Sequence, residues 1–251
     1  MNKNVFRFIS CLIVAACFTA PAAAIEKDSD GYYLKGTTAD YEAFSDLVNN
    51  GNPFACARVT ADGISVTRST GVGDCNFHYR GIFDGQGHTL TIAYTEGGLF
   101  ANTEAGCIIR NVNIAGTVCS TAALVGVAVA TTIENCSSNA TIDDRFTPMA
   151  AGLVKVSRGP ITLKNCSFTG EIISSSKAGL IGRIEHTAYI SGCRVTGPYL
   201  FVGNLNDGAN FVDDSWLNDE QVTTTVAPPS GSGITFEGIR YDVNEDGDNT
   251  T

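Results

Sequence analysis

Asn165-Cys166-Ser167-Phe168-Thr169-Gly170-Glu171-Ile172 aligns without gaps to three other segments of the chain. They are Asn111-Val112-Asn113-Ile114-Ala115-Gly116-Thr117-Val118, Asn135-Cys136-Ser137-Ser138-Asn139-Ala140-Thr141-Ile142 and Gly192-Cys193-Arg194-Val195-Thr196-Gly197-Pro198-Tyr199. Their starts lie 24, 30 and 27 residues apart. Reading down the alignment gives Val/Cys/Cys/Cys, then Ile/Ser/Phe/Val two positions on, with polar residues largely between. That spacing is the period of a strand. A second set precedes each segment by 12 or 13 residues: Gly98-Leu99-Phe100, Ala123-Leu124-Val125, Gly152-Leu153-Val154 and Gly179-Leu180-Ile181. No repeat holds a helix-length amphipathic stretch for a crossover. Short strands at constant phase, stacked turn on turn, describe an all-β chain folded as a parallel β-solenoid.

Asn heads three of the segments because it tolerates left-handed backbone at a tight corner, and stacked amides can bond along the coil. Gly192 meets the same demand without a side chain. Cys136, Cys166 and Cys193 read as a stack of small thiols filling the interior beside that corner. Ala151-Gly152-Leu153-Val154 followed by Ile161 to Gly170 resembles the GLUG repeat of bacterial surface proteins. Gly179-Leu180-Ile181-Gly182 with Ile190 to Gly197 is similar. Gly31-Tyr32-Tyr33-Leu34 to Asn50-Gly51, Val59 to Asp62 and Phe83 to Leu90 resemble the leader that commonly precedes such repeats. The resemblance covers about residues 31 to 200 and implies a right-handed parallel β-helix on an exported protein. It brings no agreed catalytic residues with it.

The N-terminus supports export. Lys3 and Arg7 precede an apolar run from Phe8 to Phe18, and Ala22-Ala23-Ala24 closes it, so residues 1–24 read as a signal peptide cut after Ala24. Val14-Ala15-Ala16-Cys17 also resembles a lipobox, which leaves a lipid anchor at Cys17 as the competing reading. The run is too short to span a bilayer. Residues 25–51 read as an N-terminal strand and a short capping helix over Thr38 to Val48, started by Thr38 or Asp40, with Tyr41, Phe44, Leu47 and Val48 on one face. Residues 52–226 carry the β-helix, in about five turns ending near residue 215. Residues 227–233 (A-P-P-S-G-S-G) read as a linker and 234–251 as a short C-terminal segment.

Composition narrows the function. Lys+Arg 16 against Asp+Glu 26 gives a formal charge of −10, which leaves little material for a nucleic-acid face and disfavours anionic membranes. Seven Cys follow the signal, an odd number that cannot all pair within the chain; Cys56 and Cys75 lie outside the repeat and are the candidates for a disulfide. Polysaccharide-cleaving chemistry on a β-helix needs paired carboxylates, or an acidic calcium cluster with a nearby base. The acids available are Asp84, Asp143, Asp144, Asp213 and Asp214, with Arg145 beside the middle pair; Asp143-Asp144-Arg145 reads as a solvated turn. Asp84-Gly85-Gln86-Gly87-His88 holds a G-x-G without a following helix, so His88 reads as a turn residue. Asp242, Asn244, Asp246 and Asp248 match the opening of an EF-hand-type calcium loop whose twelfth position lies past Thr251, so any calcium site there is weak, and no other cofactor is expected. Two functions follow: an exported, non-catalytic surface or secreted β-helix that binds a glycan or protein, and a glycan-cleaving β-helix enzyme.

Overall fold

A computed structural model describes residues 26–226, apart from 68–70, 96–97, 120–121, 146–148 and 206–208. The signal peptide with Cys17, the linker 227–233 and the calcium-loop residues Asp242, Asn244, Asp246 and Asp248 lie outside the described residues. The rest winds as a parallel β-solenoid of about six turns with one short helix. One face stacks Ile82–Asp84, Ile108–Arg110, Thr131–Glu134, Ile161–Lys164 and Thr187–Ser191 in parallel. Thr89–Thr95 and Asn113–Cys119 carry the next face of the same 17-stranded sheet. A separate six-stranded sheet, through Phe100–Thr103, Val125–Ala128, Val154–Ser157 and Lys177–Ile184, forms another.

Strand alternation divides the first face into two columns. Ala57, Phe83, Ile109, Ile133, Leu163, Ile190 and Val212 stack inward and are buried. Their neighbours Arg58, Asp84, Arg110, Glu134, Lys164, Ser191 and Asp213 stack in register on the outer side. From Arg58 to Lys164 the charges alternate at every turn, which favours the observed register because opposite charges on adjacent strands attract and a slip changes the pairing.

At the corner after this face, Asn111, Asn135, Asn165 and Gly192 all take positive φ (55°, 52°, 53° and 62°). Asn165 Nδ2 donates to Asn135 Oδ1 (3.2 Å), Asn135 Nδ2 to Asn111 Oδ1 (3.1 Å), and Asn111 Nδ2 to Asp84 Oδ1 (2.9 Å). A Cβ on Gly192 would sit 2.3 Å from Asn165 Oδ1, so the ladder leaves no room for a side chain there. Next to the ladder, Val112, Cys136, Cys166, Cys193 and Ser215 form a buried column. The thiols do more than fill space. Cys193 Sγ accepts the Cys166 amide (3.4 Å), and Ser215 Oγ accepts the Cys193 amide (3.0 Å), so small polarisable side chains satisfy buried corner backbone.

Both ends of the coil are closed. Helix Thr38–Asn49 starts at Thr37, not at Thr38 or Asp40. Thr37 Oγ1 and the Asp40 carboxylate form a reciprocal capping box, while Thr38 Oγ1 instead accepts the Ser65 amide at 2.9 Å. Tyr41, Phe44 and Val48 are buried, and Phe44 packs on Tyr33, Tyr79 and Phe83. Strand Tyr33–Lys35 pairs in parallel with Ala57–Val59, adding a turn to the five expected, because the leader itself joins the coil. At the far end Ala209–Leu217 turns at Asn218 and Asp219 (φ 50° and 71°) into the antiparallel strand Glu220–Val226. Parallel stacking therefore ends on a hairpin.

Candidate functional site

An Asx turn builds one wall of a groove at the helix-capped end. Asp28 Oδ1 accepts the Asp30 and Tyr32 amides, both at 2.9 Å, and Gly31 (φ 85°) closes the turn, so Tyr32 and Tyr33 follow at once. The facing wall is the loop after the helix. Asn52 N–H donates to Leu47 O, Ala55 N–H to Asn52 O, Arg80 N–H to Pro53 O and Tyr79 Oη–H to Ala55 O. Bonds on both sides of Phe54 pin its loop, yet its ring is 66% exposed. The groove between the walls has a volume of about 380 Å³ and is lined by Lys27, Asp30, Tyr32, Tyr33, Asn52 and Phe54, among others.

Cations lie over these rings: the Arg58 guanidinium 4.1 Å from the Tyr32 centroid, Lys27 Nζ 4.2 Å from Tyr33, and Arg80 5.6 Å from Phe54. Arg58 Nη1 also bonds Asp28 (2.5 Å) and Asp30 (3.0 Å), and Arg80 bonds Glu104 Oε2 (2.6 Å). Desolvation raises the Asp28 carboxyl, but the Tyr32 amide, Arg58 and the Asp30 amide together hold it below the usual carboxylate range. The arrangement offers aromatic faces with a polar rim and largely balanced charge. The repeat alignment holds no trace of this groove, which lies outside it; its signal in the sequence is Tyr32-Tyr33 and Phe54 after Asn52-Pro53.

The predicted acids do not converge. Asp84 is nearly buried at the foot of the asparagine ladder, bonded by Arg110 Nε (3.0 Å), Asn111 Nδ2 and the Gln86 amide (3.0 Å). Burial raises its pKa, and those hydrogen bonds with the Arg110 charge outweigh it, so the carboxyl titrates below the ordinary value. A shallow depression of about 510 Å³ lies beside it, lined by Gln86, Gly87, Asn111 and Asn135. Asp143 pairs with Arg145 at 2.9 Å on another turn and another face. Asp144 corrects the expectation of a solvated turn: it is fully buried, and its amide donates to Ile173 O at 3.0 Å. Asp213 and Asp214 are exposed on the last turn, where Gln221 Nε2 donates to Asp214 Oδ1. His88 Nδ1 faces Asp62 (3.4 Å) and His78 Nδ1 faces Glu104 (3.5 Å). Among the described residues no cluster of three or more His, Cys, Asp or Glu is placed to hold a metal ion.

Cys56 and Cys75 are free thiols, against the expected disulfide. The Cys56 thiol is engaged at the first turn instead: its sulfur accepts the Ile82 amide (3.4 Å) and its S–H donates to Phe54 O (3.7 Å). Within the column, hydrogen bonding with Cys136 and burial push the Cys166 thiol up, and bonding with Cys166 and burial do the same to Cys193. Thiols so held are poor nucleophiles.

No protein-family model and no curated protein matches the sequence. Among solved structures, the crystal structure of a "putative immunoglobulin A1 protease" from Bacteroides ovatus is similar at a TM-score of 0.47 and 16% identity, over 83% of each chain. The β-solenoid itself rests on the strand pairing described above. No described helix is long and apolar enough to cross a membrane.

Proposed function

We propose that the chain is an exported, non-catalytic β-helix protein that acts at the cell surface or after secretion by binding a glycan or protein ligand. The observation that carries this reading is the groove of Tyr32, Tyr33 and Phe54, where an exposed Phe54 ring and two half-buried tyrosines stand beside hydrogen-bonding groups on a pinned scaffold. The state of the acids supports it. Asp84 and Asp143 are bonded to neighbouring cations and lie on separate turns, whereas glycan cleavage requires two carboxyl groups about 5 to 9.5 Å apart across one bond. The GLUG-like reading of the repeats and cleavage after Ala24 belong to the same proposal. Mass spectrometry of the secreted and membrane fractions tests the address. An N-terminus at Ile25 supports it, acylated Cys17 moves the protein to a lipid anchor, and an uncut chain in the cytoplasm overturns export. Pull-downs and glycan arrays test binding, and turnover of a polysaccharide abolished by Asp143→Asn or Asp144→Asn would overturn the non-catalytic reading.

A further inference from the structure

We infer that the groove between residues 27–33 and 51–56 is a binding site for a neutral pyranose glycan, seated on the Phe54 and Tyr32 rings; this rests on the ligand-binding reading above and specifies its site and ligand class. The size comes first. About 380 Å³ lies near the lower end of the roughly 300–1,000 Å³ typical of small-ligand sites. A protein partner typically covers about 800 Å² on each side, far more than a slot between one turn and one loop offers.

The lining then selects the chemistry. Sugars present C–H faces to aromatic rings and hydroxyls around their edge. Tyr32, Tyr33 and Phe54 supply rings, and Asn52, Asp30 and Lys27 supply an amide, a carboxylate and an ammonium on the rim. Arg58 and Lys27 already lie over Tyr32 and Tyr33, which restrains the rings before any ligand arrives and lowers the entropy lost on binding.

Charge decides between neutral and acidic sugars. Arg58 is neutralised by Asp28 and Asp30, and Arg80 by Glu104, so two of the four cations near the rings are engaged within the wall, and a third, Lys35, is buried beneath the helix. Asp30 lines the groove itself, and the chain carries −10 overall, which repels a polyanionic glycan on approach.

The test is binding of the purified full chain to neutral oligosaccharides (gluco-, manno- and galacto-) and to oligogalacturonate, on an array and then by calorimetry at low and high salt. Expected is binding of at least one neutral oligosaccharide with little dependence on salt. Phe54→Ala and Tyr32→Ala should each weaken it about tenfold. Tyr189→Ala, a ring 51% exposed elsewhere on the coil, should leave it unchanged. Circular dichroism of each variant separates lost binding from lost folding. Glycan binding that survives both groove substitutions overturns the site while leaving the ligand-binding reading standing. Salt-sensitive binding of oligogalacturonate alone overturns the neutral class. Absence of any glycan binding overturns the inference, and a protein captured by the chain in the same preparation would preserve the broader reading.

Discussion

Lys35 is fully buried beneath the capping helix, and replacing it with Met probes what that burial does to stability. Its Nζ donates to Leu34 O at 2.8 Å and lies 5.6 Å and 5.3 Å from the Tyr33 and Phe44 ring centroids. Asp40 is the nearby anion, but its Oδ2 already accepts from the Gly36 and Thr37 amides and from Thr37 Oγ1. Burial lowers the Lys35 pKa from 10.5 to about 8, against the opposing pull of Asp40. At about 1.36 kcal/mol per unit, that depression sets a ceiling of about 3 kcal/mol on the penalty of holding the ammonium there. Local relaxation and residual hydration bring the expected effect to about 2 kcal/mol. Between pH 8 and 10.5 the folded protein holds fewer protons than the unfolded chain, so stability rises with pH across that window. The penalty is fully present below pH 8 and relieved above 10.5. Lys35→Met, close in shape and uncharged, should therefore be more stable than the native chain by about 2 kcal/mol at neutral pH, or roughly 4–8 °C in Tm. The advantage should close as the pH approaches 10.5. Urea titrations of both proteins across this range measure it, since groups common to both cancel in the difference. A gap that stays constant with pH, or a Met variant less stable at neutral pH, would refute the reasoning, because the ammonium would then be adequately solvated or paired.

Three further outcomes are expected. Asn135→Ala breaks two ladder bonds and places a Cβ residue without local hydrogen bonding at φ 52°, so it should cost about 2–3 kcal/mol, and Asn135→Gly only about 1 to 2; equal losses in urea titrations would contradict the left-handed corner. Asp84→Asn removes the ion pair with Arg110 and should cost about 1 kcal/mol at neutral pH. Because the native carboxyl titrates below its usual value, that difference should be full above the ordinary carboxylate pKa and vanish as the pH falls through the folded-state value; a difference that persists in strong acid counts against it. Calorimetry against calcium should show millimolar binding at best from Asp242, Asn244, Asp246 and Asp248, and submicromolar binding lost on truncation after Gly233 would show a complete loop.

What could be read from the sequence was what repeats at constant phase. The Asn corner and the Cys column recur at the same offset within each turn, so their stacking followed from alignment alone. Features that occur once carried no such signal. Tyr33–Lys35 is a three-residue strand whose role depends on Ala57–Val59 lying beside it, and the hairpin at Asn218-Asp219 lacks the glycine that usually marks a two-residue turn. Asp144 reads as exposed beside two other charges, yet it is fully buried, and its amide is bonded to Ile173 of the next turn.

The outer charge column shows why the boundary falls there. Arg110, Glu134 and Lys164 each stand one residue before the aligned corner residues Asn111, Asn135 and Asn165, so that part of the column shares the phase of the repeat, whereas Arg58 and Asp84 lie upstream of the aligned segments. All five join one column because the inward residues one position earlier, Ala57, Phe83, Ile109, Ile133 and Leu163, are buried together. Hydrophobic burial chooses the face, and loops of unequal length absorb the irregular spacing. Cross-strand charge then distinguishes the native neighbour from a turn slipped along the coil, at about 0.2–1 kcal/mol per pair. The groove is placed by the same logic at one remove. The helix buries Phe44 against Tyr33 and Phe83, which ties the turn before the helix and the loop after it to the first rung and leaves Phe54 exposed on that loop with Arg80 over its ring.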